Sequence, residues 1–418
     1  MSRINGVVAR RVWDSRGRPT VEVEIVTSAG GRGRGIAPAG ASRGSREAVE
    51  LRDGGDRFDG MDVRAAIAGI EREIAPVLIG IDVFQQTTID EMLVALDGTA
   101  NKSRLGGNAL IATSLAVLQA ASNESGLPLW RYLAQDRPVF LPRPQIQIFG
   151  GGAHADRRVD IQDFMVIATA ATCFEEALEM TAEVYQHAGR LMRHRGGAQG
   201  IADEGGWWPS FSRNEEALDV LVEAIEAAGF MPGRDVGIAL DVAASEFRKC
   251  GRYVLGLDGV ELDSDGLIDT LLGWLDRYPI VSIEDPLAED DEAGWIAFTE
   301  AAGDRVQIVG DDFLVTNAGL VREAARKKAC NAVLIKPNQA GTVTETYRAL
   351  QAAKDNGYAT IVSARSGETE DVAIVHLATG WNAGQLKVGS FARSERMAKW
   401  NEGIRIETGD HPPAGFAK

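Results

Sequence analysis

At 418 residues the chain has room for one large or two ordinary domains, and its 45% hydrophobic and 25% charged residues describe a soluble globular protein with a real core. A formal net charge of −16 disfavours nucleic acid and anionic membrane as partners, and no apolar run reaches membrane length. Three cysteines without motif spacing (Cys173, Cys250 and Cys330) fit a reducing cytoplasm, and the opening residues "MSRINGVVARRVWDSRG" carry no apolar secretion signal.

The first 130 residues are mixed. "TVEVEIVT" alternates as a half-buried strand does. "GRGIAPAGASRGSREA" is rich in small residues and predicts a long flexible loop before a helix. Helical spacing of apolar residues follows at roughly 62–80 and 107–125. Beyond about residue 140 the pattern changes. Short apolar runs alternate with amphipathic stretches: "PQIQIFG", "DIQDFMVIA", "VGIALDV", "PIVSIED", "VQIVGDD", "NAVLIKP", "ATIVSAR" and "GQLKVGS". Repeated strand–helix units predict a parallel sheet. Eight candidates suggest a closed α/β barrel, with an open doubly wound sheet as the alternative. No Gly-x-Gly-x-x-Gly turn follows an early strand, which argues against a dinucleotide fold.

An acidic protein that takes an acidic substrate needs a local cationic pocket or a metal. In a barrel the active site lies at the C-terminal strand ends. Those ends here are Asp241, Glu284 (then Asp285), Asp311 (then Asp312), Lys336, Arg365 with Ser366, and Lys387. Three carboxylates on successive strands would converge and repel, and a hard divalent cation such as Mg²⁺ resolves that. The competing explanation is that each acid caps the helix after it. Lys336 ends an apolar strand beside these acids. A neighbouring cation, another lysine and desolvation would all lower its pKa, making it a candidate general base for a carbon acid; the alternative is a salt-bridged structural lysine. "GGAHADRRVDIQDF" adds His154, Gln162 and Asp163, and "GIADEGGWWP" adds Asp203 and Glu204. A buried Glu204 is a candidate general acid with a raised pKa. His154 is as readily structural as functional. Trp207 and Trp208 are expected to pack a wall, and His187, His194, His376 and His411 show no ligand spacing.

These residues and their order resemble the enolase family over nearly the whole chain. The matching segments include "DSRGRPTVEVE", "GASRGSREAVELRDG", "LDGTANKSRLGGNA", "GGAHADRRVDIQDFM", "DEGG", "IVSIEDPLAEDD", "LIKPNQAGT", "RSGETED" and "ARSERMAKWN". The resemblance implies an α/β fold: a modified (β/α)8 barrel over residues 131–418, capped by a smaller α+β domain over 1–130 that carries a mobile active-site loop. It also implies two Mg²⁺ ions, at least a homodimer, and a cytoplasmic enzyme acting on a small acidic phosphate or phosphonate. By resemblance, Asp241, Glu284 and Asp311 hold the first Mg²⁺ and Ser42 the second. Lys336 matches the base, and Glu204 the acid that helps the 3-hydroxyl leave. Arg365 and Ser366 match the phosphate grip, Lys387 a carboxylate contact, and His154 a loop histidine that closes on substrate. Asp163 is expected among the catalytic residues with Lys336 and Glu204, and Gln162 and Arg43 among the substrate contacts.

The departures cluster around the substrate. Enolases carry His at Ala364 and Glu at Asp163. The loop reads "PAGASRG" where "PSGASTG" is usual, so Ala39 loses a hydroxyl and Arg43 adds a charge at the mouth. Ala340 replaces a larger apolar residue. The first expectation is a divergent enolase converting 2-phosphoglycerate to phosphoenolpyruvate and water. The second is a paralogue from phosphonate or phosphinate antibiotic biosynthesis, similar to carboxyphosphonoenolpyruvate synthase. Room at Ala364 and the charge of Arg43 would then admit a bulkier substrate. A third is a catalytically dead scaffold or lens-type protein, against which the kept Lys336, Glu204 and acids count.

Overall fold

The computed structural model describes residues 2–410 and 412–417, so His411 lies outside the described residues. Strands β1 (Ile4–Trp13), β2 (Pro19–Thr27) and β3 (Arg32–Ile36) form an antiparallel meander. Val21, Val23 and Ile25 are fully buried on one face of β2, as its alternation predicts. Helices α1 (Gln86–Asp97) and α2 (Gly107–Glu124) complete the unit. α2 is alanine-rich and buried almost all round, because it lies directly on the meander. A Cβ on Gly35 of β3 would stand 2.4 Å from the Ala112 carbonyl oxygen, so only glycine allows that approach. The predicted helix at 62–80 is present as a helical run from 64 to 78 with a wide turn at Ile70–Ile74. α1 adds to the expected elements.

The eight apolar runs are all strands: β4 (Arg143–Gly150), β5 (Asp163–Ile167), β6 (Gly237–Asp241), β7 (Ile280–Glu284), β8 (Gln307–Gly310), β9 (Ala332–Ile335), β10 (Ala359–Ser363) and β11 (Gln385–Gly389). Among the described residues these eight close into a barrel, with β11 pairing back onto β4. Most strand positions are buried, which is why they read as unbroken apolar runs. The all-parallel expectation needs correcting. β5 runs antiparallel to both β4 and β6. The segment between β4 and β5 is a glycine-rich loop with no crossover helix, so the chain doubles back.

That reversal positions the site. An antiparallel strand begins where its neighbours end. Asp163, first in β5, therefore lies in register with Asp241, last in β6, and Asp241 with Glu284, last in β7.

The outer helices are α3 (Phe174–His194), α4 (Asn214–Ala227), α5 (Ser264–Arg277), α6 (Glu292–Ala302), α7 (Ala318–Lys327), α8 (Val343–Asp355), α9 (Ala373–Gly380) and α10 (Ser394–Glu407). Phe174, Ala177, Leu178, Thr181, Val184, Tyr185 and Ala188 mark the buried stripe of α3 at helical spacing. Side-chain caps come from Asp263 on α5, Asp291 on α6, Asn317 on α7 and Thr342 on α8. The strand-end acids are therefore not these helices' caps. No described helix is long and apolar enough to cross a membrane.

Candidate active site

The strand ends deliver charge to one buried place. Asp241, Glu284 and Asp311 are each at most 5% exposed. The acids do not meet each other bare. Lys387 Nζ donates to Asp241 Oδ2 at 2.8 Å and to both Glu284 oxygens at 2.8 and 2.9 Å. Lys336 Nζ donates to Asp311 Oδ2. Burial, with Asp241 beside it, still pushes the Glu284 carboxyl well above its usual range despite Lys387. Burial would lower the Lys336 ammonium, but Asp311 outweighs it and the net shift is upward. Lys336 is thus paired with the acid that was expected to hold a cation.

Asp285, the second acid of its pair, has a structural job. Asp285 accepts the amides of Asp311 at 2.8 Å and Asp312 at 2.9 Å, which fixes the turn that presents Asp311. Asp285, Asp311 and Asp312 bring oxygen atoms within 4.8 Å of one another. Burial and the Asp312 charge hold the Asp285 carboxyl well above its ordinary value.

A second cluster adjoins the first. His154 Nδ1 lies 3.0 Å from Asp163 Oδ1, and His154 Nε2 lies 3.7 Å from Glu204 Oε1. All three are buried. Burial alone would lower the imidazole, but Asp163 and Glu204 together raise it to about 9. Burial would raise Asp163, yet the imidazolium holds it down at about 2. A pH dependence follows. The folded pKa of His154 stands above its ordinary 6.5, so its stabilisation is fully present below pH 6.5 and is lost as pH rises through about 9. Asp163 reports the same contact from the acid side, lost as pH falls from 3.8 towards about 2, and is not counted again. Against His154→Asn in urea titrations with chelator, the wild type is expected to lose up to about 3 kcal/mol more between pH 6.5 and 9. Parallel stability curves for the two proteins would refute this.

The loop at 39–48 lies docked across the barrel mouth. Ala39 and Gly367 exchange backbone hydrogen bonds at 2.9 and 2.8 Å, and Ser45 N donates to Glu289 Oε2 at 3.1 Å. A Cβ on Gly40 would lie 2.0 Å from Arg365 Nη2, so glycine is required there. Arg365 spends its Nη hydrogens on Glu47, on Asn338 Oδ1 at 3.1 Å and on the Ser42 carbonyl at 3.0 Å. Its Nε–H remains for an incoming anion. Arg16 Nη1 reaches Ser366 Oγ at 3.5 Å.

Ser42, His154, Gln162, Glu204, Asp241, Lys336, Ala364, Arg365, Ser366 and Lys387 all border one small cavity of about 20 Å³. Asp163 lies beneath it, fully buried, receiving Gln147 Nε2. Arg43 is not on its wall. Its half-exposed guanidinium lies 3.5 Å from Glu50, just beyond the loop. Ala364 is 6% exposed and lines this tight cavity. Sequence reasoning passed over Glu47, Arg16 and Gln339. Glu47 had a signal, as the one acid in "GASRGSREA", where two arginines precede it. Trp207 does pack a wall, stacked on Tyr185 with ring centroids 5.0 Å apart.

Residues 4–133 match the family model described as the enolase N-terminal domain, and residues 138–415 match that of the enolase C-terminal TIM barrel domain. A protein named "Enolase 1" from Desulfitobacterium hafniense (strain Y51) is 51% identical over 408 residues, covering 97% of this chain and 93% of that protein. The chain belongs to the enolase family. It is an enolase-type hydro-lyase, and the scaffold reading falls. The similarity to a protein named as an enolase lends no support to the phosphonate alternative.

Enolases generally use Mg²⁺, and the residues here fit it. The donors are hard oxygens, buried and in excess of the cations that meet them. Gln162 Oε1 and Asp163 Oδ2 are buried without a hydrogen-bond partner. Gln162 Nε2 donates to Asp241 Oδ2 at 3.0 Å, so the amide also orients a candidate ligand.

Proposed function

We propose that this enolase converts 2-phosphoglycerate to phosphoenolpyruvate and water with Mg²⁺. The observation that carries the proposal is the pairing of Lys336 and Lys387 with Asp241, Glu284 and Asp311 at one barrel end, beside Glu204 and His154. Asp241, Glu284 and Asp311, with Ser42 from the loop, are the residues that would hold Mg²⁺. Bound there, Mg²⁺ supplies positive charge that stabilises the carboxylate as it gains electrons and lowers the pKa of Lys336.

The chain's own groups divide the remaining work. Lys336, neutral, takes the proton from the carbon alpha to the carboxylate. The C–H electron pair becomes the new C=C bond as the C3–O bond breaks. Glu204 gives its proton to the leaving hydroxyl, which departs as water. His154, between Asp163 and Glu204, orients the acid's carboxyl group. Lys387 faces the substrate carboxylate, and Arg365 with Ser366 receives the phosphate. Gln162 orients Asp241. Arg43 remains a rim charge. The division at about residue 130, the second Mg²⁺, the cytoplasmic setting and a homodimer belong to the same proposal.

The test is phosphoenolpyruvate formation from 2-phosphoglycerate by the purified protein, with Mg²⁺ and with chelator. Turnover of about 1–1000 per second with Mg²⁺ and none with chelator is the expected result. No turnover by folded, Mg²⁺-loaded protein would overturn the assignment.

A further inference from the structure

Glu47 belongs to none of the groups assigned above, yet it is only 7% exposed and both of its carboxylate oxygens are engaged. Its Oε1 accepts the Gly44 amide at 3.1 Å, Gln339 Nε2 at 3.2 Å and Arg365 Nη2 at 3.2 Å. Its Oε2 accepts Arg365 Nη1 at 3.0 Å. The two ends of this pair lie 318 residues apart in sequence. One is on the loop that carries Ser42; the other follows β10 and is the grip for the substrate anion. The same guanidinium holds the Ser42 carbonyl at 3.0 Å. Gln339 completes a bridge, since its Nε2 also donates to Asp311 Oδ1 at 2.9 Å.

We infer that Glu47 is a positioning residue that latches the loop onto Arg365, so that Ser42 and the anion grip are set together. The pair is two parallel N–H···O bonds between a fork and a carboxylate, a geometry that fixes direction as well as distance. It is buried, so removing one partner leaves the other charge uncompensated. The loop has few other anchors of this kind. Arg46 donates to the Phe313 carbonyl at 2.7 Å, and Ser45 N reaches Glu289 at the surface. Without Glu47 the guanidinium would lose its orienting carboxylate and the loop its link to the barrel mouth. The consequence for binding rests on the substrate anion meeting Arg365, as proposed above; the latch itself does not.

Glu47→Gln tests it, being isosteric and able to keep neutral contacts while losing the charge. Arg43 and Arg46 are exposed on the loop and are tryptic sites. The variant is expected to be cut after them about tenfold faster than wild type in the native state, without any ligand. Its KM for 2-phosphoglycerate is expected to rise about tenfold while kcat changes less than about threefold, a split that general destabilisation does not produce. Glu47→Asp keeps the charge but retracts it, and is expected to fall between; it also serves if Glu47→Gln fails to fold. Cleavage of the loop at the wild-type rate in both variants would overturn the latch. Proteolysis needs no turnover, so the latch stands or falls independently of the 2-phosphoglycerate assay.

Discussion

Lys336→Arg is expected to abolish turnover while leaving the fold intact. Lys336 is 9% exposed and its ammonium is bonded to Asp311. Arginine keeps a positive charge against that carboxylate, but its guanidinium cannot be deprotonated near neutral pH and so cannot serve as a base. A positioned general base contributes about 10²–10⁴ in rate, and kcat should fall by at least about a thousandfold. Exchange of the substrate's alpha proton with deuterated water should vanish in the same proportion, because the lysine acts on that bond. Lys336→Ala removes the base and also strands Asp311 beside Glu284. It should lose turnover equally and, in addition, about 3 kcal/mol or more of stability measured in chelator. If Lys336→Arg retains more than about a tenth of wild-type kcat, Lys336 is a structural cation and not the base.

That duality shows where the sequence was legible. Buried strands of a barrel write themselves as apolar runs, because both of their faces are covered, and "IALD", "IVSIE" and "AVLIK" therefore announced their own ends. Once the barrel was drawn, the residues after each run had to face one another, and Asp241, Glu284, Lys336 and Lys387 do. Pairing across the barrel was not legible, since which lysine meets which acid depends on side-chain reach between strands. Strand direction was hidden for a related reason. "DFMVI" is apolar whichever way it runs, and only the absence of a helix between β4 and β5 distinguishes the two. Arg43 lies off the cavity wall because an acid just beyond its loop, Glu50, satisfies its charge. Glu47 was passed over because an acid in an arginine-rich loop looks like surface neutralisation until its partner, far along the chain, is brought beside it.

The second large effect is expected from Asp163→Glu with Ala364→His, which place beside the acid the two residues that the family resemblance implies there. Ala364 lines the cavity between Ser363 and Arg365, and its amide donates to the Lys387 carbonyl at 2.9 Å, so the backbone there is fixed. Asp163 lies beneath the cavity, with Oδ1 held by Gln147 and His154 and Oδ2 3.7 Å from Lys387. Asp163→Glu lengthens the side chain by one carbon–carbon bond, about 1.5 Å, so the carboxylate and His154, now 3.0 Å apart, re-seat against each other. A shift of about 1 Å in a catalytic group is worth on the order of a hundredfold in rate. Ala364→His adds a polar ring on the opposite wall, at the cost of filling a cavity of about 20 Å³. The ring needs the loop or the lysines to give way, so the single Ala364→His variant should lose stability, by about 1–3 kcal/mol. The double variant is expected to raise kcat for 2-phosphoglycerate by about 10- to 100-fold, with KM changing less. Asp163→Glu alone introduces no ring into the cavity and should show part of the gain, which separates chemistry from crowding. Equal turnover in wild type, the Asp163→Glu variant and the folded double variant would mean that His154 and Glu204 already supply all that the leaving hydroxyl needs, and that Ala364 carries no penalty.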